Sequence, residues 1–108
     1  ENYRQKMTDN FGPAVAAADR RYEAVRGTEE ERRLAVAISQ RKNDLGNTRA
    51  LLREVDRRES LHPSWAHRAN SIDLAGTIRR LTGNTPSRFG DARQILLARL
   101  NRLWREPI

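Results

Sequence analysis

Thr28–Ser60, TEEERRLAVAISQRKNDLGNTRALLREVDRRES, is the stretch whose reading decides the fold. Its apolar residues Leu34, Ile38, Leu45, Leu52 and Val55 follow one another at steps of four, seven, seven and three. Those steps hold one heptad register, with Ile38, Leu45 and Leu52 at one core position and Leu34 and Val55 at the other. The spacing predicts one long helix packed along a partner helix, roughly 45–50 Å from end to end. Two features interrupt the pattern. Arg41 and Thr48 occupy core-type positions, and Gly46 sits mid-helix, where it costs about 1 kcal/mol relative to alanine. The zone from Asn43 to Asn47 therefore either breaks the helix or faces solvent or another chain.

Before this stretch, Arg26-Gly27-Thr28 marks a turn. Glycine takes the left-handed conformation that ends a helix. Thr28 caps the next one, with Glu31 three residues on completing a capping box, and Glu29–Glu31 set negative charge at the positive end of the helix dipole. So short a turn makes the flanking helices antiparallel. The preceding arm carries Phe11, Val15, Ala18, Tyr22 and Val25 at alternating steps of four and three. Gly12-Pro13 breaks its first turns, because proline suits a first helical position and disfavours helix just before it. The main arm is expected over 13–26, with a shorter helical piece over 2–10 whose Tyr3 and Met7 extend the stripe.

After Ser60, His62-Pro63-Ser64 ends the long helix. A short helix from Ser64 merging into Ile72–Leu81 is expected, stopped by Gly83. Thr85 and Pro86 read as the cap and first residue of a last helix over about 87–105, lined by Phe89, Ala92, Leu96, Leu100 and Leu103. The second half of the long helix, Leu45 to Val55, is longer than the first arm can cover, so these helices should cover it. The expected fold is all-α: a long antiparallel hairpin over 13–60, closed by a basic cap of two or three shorter helices over 61–108. The 108 residues are read as one helical domain, and the opening Glu1 suggests a piece of a longer, bacterial protein.

Composition narrows function. Twenty-one basic side chains stand against 14 acidic ones, a net charge of +7, and all but Lys6 and Lys42 of the basic residues are arginine. Guanidinium forks bind oxyanions bidentately, which points to phosphates or acidic surfaces; a habit of arginine in place of lysine, with solvated helix faces, gives the same count. With no cysteine, disulfides, thiolate zinc sites and cysteine nucleophiles are excluded, and the composition fits a cytoplasmic protein. No apolar run reaches the ~20 residues of a membrane span. His62 and His67, five apart, lack the helical spacing of a metal pair, and neither a glycine-rich phosphate loop nor a nucleophile elbow is present. The expectation is no enzyme, no cofactor, no metal and no small-molecule substrate.

Charge concentrates after residue 60, where eight arginines face three carboxylates. Arg79 and Arg80 end one predicted helix; Arg88, Arg99, Arg102 and Arg105 belong to the next. These six are the candidate contacts to a nucleic-acid backbone, with affinity independent of base sequence. A helix-turn-helix centred on Gly83 would place Arg79 where a small residue normally packs. The alternative function is protein interaction or self-association through the hairpin's heptad stripes, with Arg41, Thr48, Trp65 and Trp104 as candidate partner contacts. The two tryptophans otherwise read as core anchors that pack together. The stretches GTIRRL at 76–81, SRF at 87–89 and LLARL at 96–100 resemble parts of the small helical subunits of CRISPR surveillance complexes. Those are basic bundles that hold nucleic-acid backbone, and the resemblance implies the same class of partner without assigning any residue a role.

Overall fold

The computed structural model describes residues 2–108, apart from the side chain of Ala69. The elements are α1 (Asn2–Ala24), α2 (Glu29–Leu61), a π-helical turn (Ala69–Leu74), α3 (Ala75–Thr82) and α4 (Phe89–Arg105), with no strand among the described residues. The fold is all-α, a long helical hairpin followed by shorter helices, as the heptad spacing predicts. The chain clusters into two compact units: one takes the chain up to Gly46 together with Asn101–Ile108, the other takes Asn47–Leu100. Both α2 and α4 contribute to each.

In the first unit α1 is two helices joined at Gly12, whose φ of 90° and ψ of 170° lie outside helical geometry. Tyr3, Arg4 and Met7 share one cavity of about 280 Å³ with Ala16, Asp19, Arg20 and Glu23, so segment 2–11 folds back beside 13–24. The expected break is there, but the stripe does not simply run on through it: Met7 is buried and Tyr3 is exposed. Only glycine adopts this conformation cheaply. A side chain here would also strike Trp104, since an added Cβ would lie 2.7 Å from its Cδ2 and 2.8 Å from its carbonyl oxygen. Val15 and Ala18 of the second segment are buried, as are Leu34, Ile38 and Leu45 of α2, which is the pairing the two stripes require.

The turn into α2 is capped much as expected. The Glu31 N–H donates to Thr28 Oγ1 at 3.3 Å. The return bond differs: the Glu31 carboxylate accepts from the Gly27 N–H, one residue earlier than in a standard capping box. From Glu29 the helix continues to Leu61 and passes Gly46 without a break. Nothing lies within 4 Å of a methyl group added at Gly46, so this glycine marks no close approach.

The second unit is built on a core of Val55, Leu74, Ile78, Phe89, Ala92 and Leu96, flanked by Leu51, Leu52, Trp65 and Ile95. The last third of the chain thus supplies the cover that the later part of α2 needs. Two details depart from expectation. The chain after Pro63 forms a π-helical turn rather than a helix starting at Ser64. The fully buried Asn70 side chain ties this turn to the loop before it, its Nδ2 donating to the carbonyls of His62 and Ser64, both at 3.1 Å. α4 begins at Phe89 instead of 87, because the Asp91 carboxylate accepts from the Ser87 N–H at 2.8 Å and its hydroxyl at 3.3 Å. Gly83, with φ of 81°, ends α3 as predicted.

Candidate functional site

The six arginines singled out in the sequence divide between the two units. Arg79, Arg80, Arg88 and Arg99 belong to the second unit, Arg102 and Arg105 to the first. Arg99 faces inward: its Nε donates to Thr48 Oγ1 at 3.2 Å and its Nη1 to the Leu81 carbonyl at 3.3 Å. The other five are exposed. Arg80 donates to Thr77 Oγ1 at 3.3 Å and Arg105 to Asn101 Oδ1 at 2.8 Å, contacts that orient a guanidinium without neutralising it.

The candidate partner contacts are engaged within the chain. Thr48 is fully buried, with its hydroxyl bonded to Arg99. Arg41 donates to the carbonyls of Leu103 at 2.8 Å and Glu106 at 2.6 Å, capping the C-terminal end of α4, where a cation also meets the helix dipole favourably. The polar residues in the heptad seam therefore have intramolecular partners. Trp104 covers Gly12, while Trp65 packs edge-on to Phe89 at 5.0 Å and 87°. Each tryptophan is a packing anchor within its own unit.

Charge in the second unit follows from how its carboxylates are used. Residues 47–100 hold ten arginines and five acidic side chains, a net of +5. Glu54 pairs with Arg57 at 2.7 Å and Arg58 at 2.5 Å. Arg58 also reaches Asp73 at 2.9 Å, joining α2 to the π-helical turn. Arg93 of α4 bonds to Asp56 at 2.9 Å and to Glu59, tying α4 to α2. Asp91 is the cap described above. The hydrogen bonds from Arg57 and then Arg58 hold the Glu54 carboxyl at a pKa of about 2, below its ordinary 4.5; the bond to Glu54 raises the Arg57 pKa, and the bonds to Asp73 and then Glu54 raise that of Arg58. All five carboxylates are thus occupied, four of them by Arg57, Arg58 and Arg93.

Arg53, Arg68, Arg79, Arg80 and Arg88 remain exposed and face no carboxylate among the described residues. Arg53 and Arg68 were not singled out by the sequence reading. The signal that finds them is the pairing itself, because the acids that offset them in composition are committed to other arginines.

His62 and His67 stack with ring centroids 3.9 Å apart and planes 6° apart, a face-to-face arrangement that does not converge their nitrogens on one point. Among the described residues there is no group of three or more His, Cys, Asp or Glu side chains able to hold a metal ion. Among them, too, no helix is long and apolar enough to cross a membrane. No protein-family model, curated protein or solved structure matches the chain.

Proposed function

We propose that this protein is a non-catalytic helical binding module that contacts the phosphate backbone of nucleic acid through the exposed arginines of residues 47–100. The observation that carries the reading is the consumption of every carboxylate in that unit by internal bonds, which leaves Arg53, Arg68, Arg79, Arg80 and Arg88 as uncompensated positive charge. Such charge attracts polyanions whatever their base sequence, and its affinity falls steeply with salt. Arg79 and Arg80 close α3, and Arg88 stands just before α4, so the short connection between them presents three guanidinium groups within ten residues of chain. Arg99 is reassigned in this proposal. It supports the fold by bonding Thr48 and Leu81, and it is not a phosphate contact.

The test is fluorescence anisotropy of a labelled duplex titrated with protein at several salt concentrations. Each phosphate contact contributes about 0.9 to the slope of log affinity against log salt, so Arg79→Gln, Arg80→Gln and Arg88→Gln together should flatten the slope by about 2–3. Duplexes of unrelated sequence should lose affinity alike. Arg99→Gln should lower the melting temperature and leave the slope unchanged. A triple variant with the slope and affinity of the parent removes the proposal. The alternative of assembly through the heptad stripes draws no specific support, since Leu34, Ile38, Leu45, Thr48 and Val55 are all buried in the chain itself.

A further inference from the structure

A groove of about 550 Å³ lies between α2 and α3, lined by Asn47, Ala50, Leu51 and Glu54 on one side and Thr77, Arg80 and Leu81 on the other. The lining positions form two helical stripes, spaced i, i+3, i+4, i+7 on α2 and i, i+3, i+4 on α3. Stripes of this spacing are what a third helix packs against, and the stretch on α2 offers about two turns of contact, or roughly 10 Å. Leu51 and Leu81 are only half-buried, and Ala50 is small and exposed, which lets another backbone come close.

The electrostatics of the groove choose the occupant. Its one carboxylate, Glu54, is held by Arg57 and Arg58 and repels little. Arg80 stands at the α3 edge with its guanidinium on Thr77, Arg79 is exposed beside it, and Arg53 is exposed one turn beyond Ala50 on α2. An apolar floor edged by uncompensated guanidinium groups fits a helix with an apolar stripe and carboxylates on both flanks.

The geometry points to a docking site for an acidic amphipathic helix of a partner protein, seated on Ala50, Leu51 and Leu81 and held at its flanks by Arg53, Arg79 and Arg80. Its apolar residues at i, i+3 or i+4 and i+7 would complete a three-helix layer with α2 and α3, while its glutamates or aspartates meet the arginines in charge-assisted bonds. The site is independent of the nucleic-acid reading, although the shared Arg79 and Arg80 make a bound duplex and a bound acidic helix competitors.

The probe is a synthetic peptide of about four helical turns, carrying leucines at i, i+3, i+4 and i+7 and glutamates flanking them, with a control in which lysine replaces every glutamate. Titrated into the isotopically labelled protein, the acidic peptide should shift the amide resonances of Asn47, Ala50, Leu51, Thr77 and Leu81, and the basic control should not. Ala50→Gln, which lengthens a surface side chain into the groove, should weaken the peptide at least about tenfold and leave duplex affinity unchanged. Absence of binding, equal binding of both peptides, or shifts centred elsewhere overturns the docking site. Concentration-dependent shifts of the same residues without peptide would assign the groove to a second copy, and duplex-induced shifts at Ala50 and Leu51 would assign it to nucleic acid; either also overturns the proposal. Failure of the duplex to bind at all bears only on the earlier reading.

Discussion

Replacing Gly12 with alanine sets two separate costs on one methyl group. The backbone there, with φ of 90° and ψ of 170°, lies in a region that essentially only glycine occupies, and holding another residue in it costs about 1–3 kcal/mol. The new Cβ would also lie 2.7 Å from the Trp104 ring and 2.8 Å from the Trp104 carbonyl oxygen, and that oxygen is backbone, which cannot swing aside as a flexible side chain does. Relieving such overpacking costs about 1–3 kcal/mol more. The sum, about 2–6 kcal/mol, is a large share of the ~5–15 kcal/mol that holds a typical domain folded. At ~4–8 °C per kcal/mol for a domain of this size, Gly12→Ala should lower the melting temperature by at least about 8 °C. Thermal unfolding followed by far-ultraviolet circular dichroism is the assay. A variant melting within about 1 °C of the parent would refute the argument, because it would mean that segment 2–11 does not need the turn at Gly12.

Gly46→Ala should act in the opposite sense, raising stability by about 1 kcal/mol in the same assay, because the added methyl group meets nothing and the helix gains propensity. Destabilisation would show that α2 is not continuous there. Glu54 supplies a pH dependence: its folded pKa lies below its ordinary value of 4.5, at about 2. The stability it contributes is therefore fully present above 4.5 and lost as pH falls from 4.5 toward about 2, and Glu54→Gln should flatten the urea-unfolding midpoint over that window. Asn70→Asp should be costly in a pH-dependent way, since it turns an oxygen toward the His62 and Ser64 carbonyls in a fully buried position. That carboxyl would have a folded pKa raised above its unfolded value of about 3.9. Its penalty relative to the parent should thus be smaller below that pH and grow as pH rises. Equal penalties at both ends would contradict the assignment of Nδ2 as the donor to both carbonyls.

Local chemistry was readable wherever a short stretch of chain sets its own conformation. Gly27, Thr28 and Glu31 specify a helix end and a helix start within five residues, and Gly83 specifies a stop, because the left-handed glycine and the capping hydroxyl act on the adjacent backbone. The heptad steps from Leu34 to Val55 likewise define which face of α2 is buried, since 3.6-residue periodicity belongs to the single helix. Gly12-Pro13 could be read as a break for the same reason. How sharply the chain folds back there could not, because that depends on Trp104, which comes 92 residues later.

The candidate site was less legible. Arg99 and Arg102 look equivalent on the last helix, yet the first is bonded to Thr48 and Leu81 while the second is exposed. Arg41 and Thr48 look like flaws in an apolar seam until their partners, at Leu103 and Glu106 for one and Arg99 for the other, are brought to them. The sequence by itself determined that the chain is helical, where its main turns fall, which stripe is buried and that it carries a charge of +7. Only tertiary structure decided which charges remain: it delivers Arg58 to Asp73 and Arg93 to Asp56 and Glu59 across 15 to 37 residues, and so leaves Arg53, Arg68, Arg79, Arg80 and Arg88 outward. Charge is a sum over composition, whereas compensation depends on distance, and distance between remote residues is set by packing.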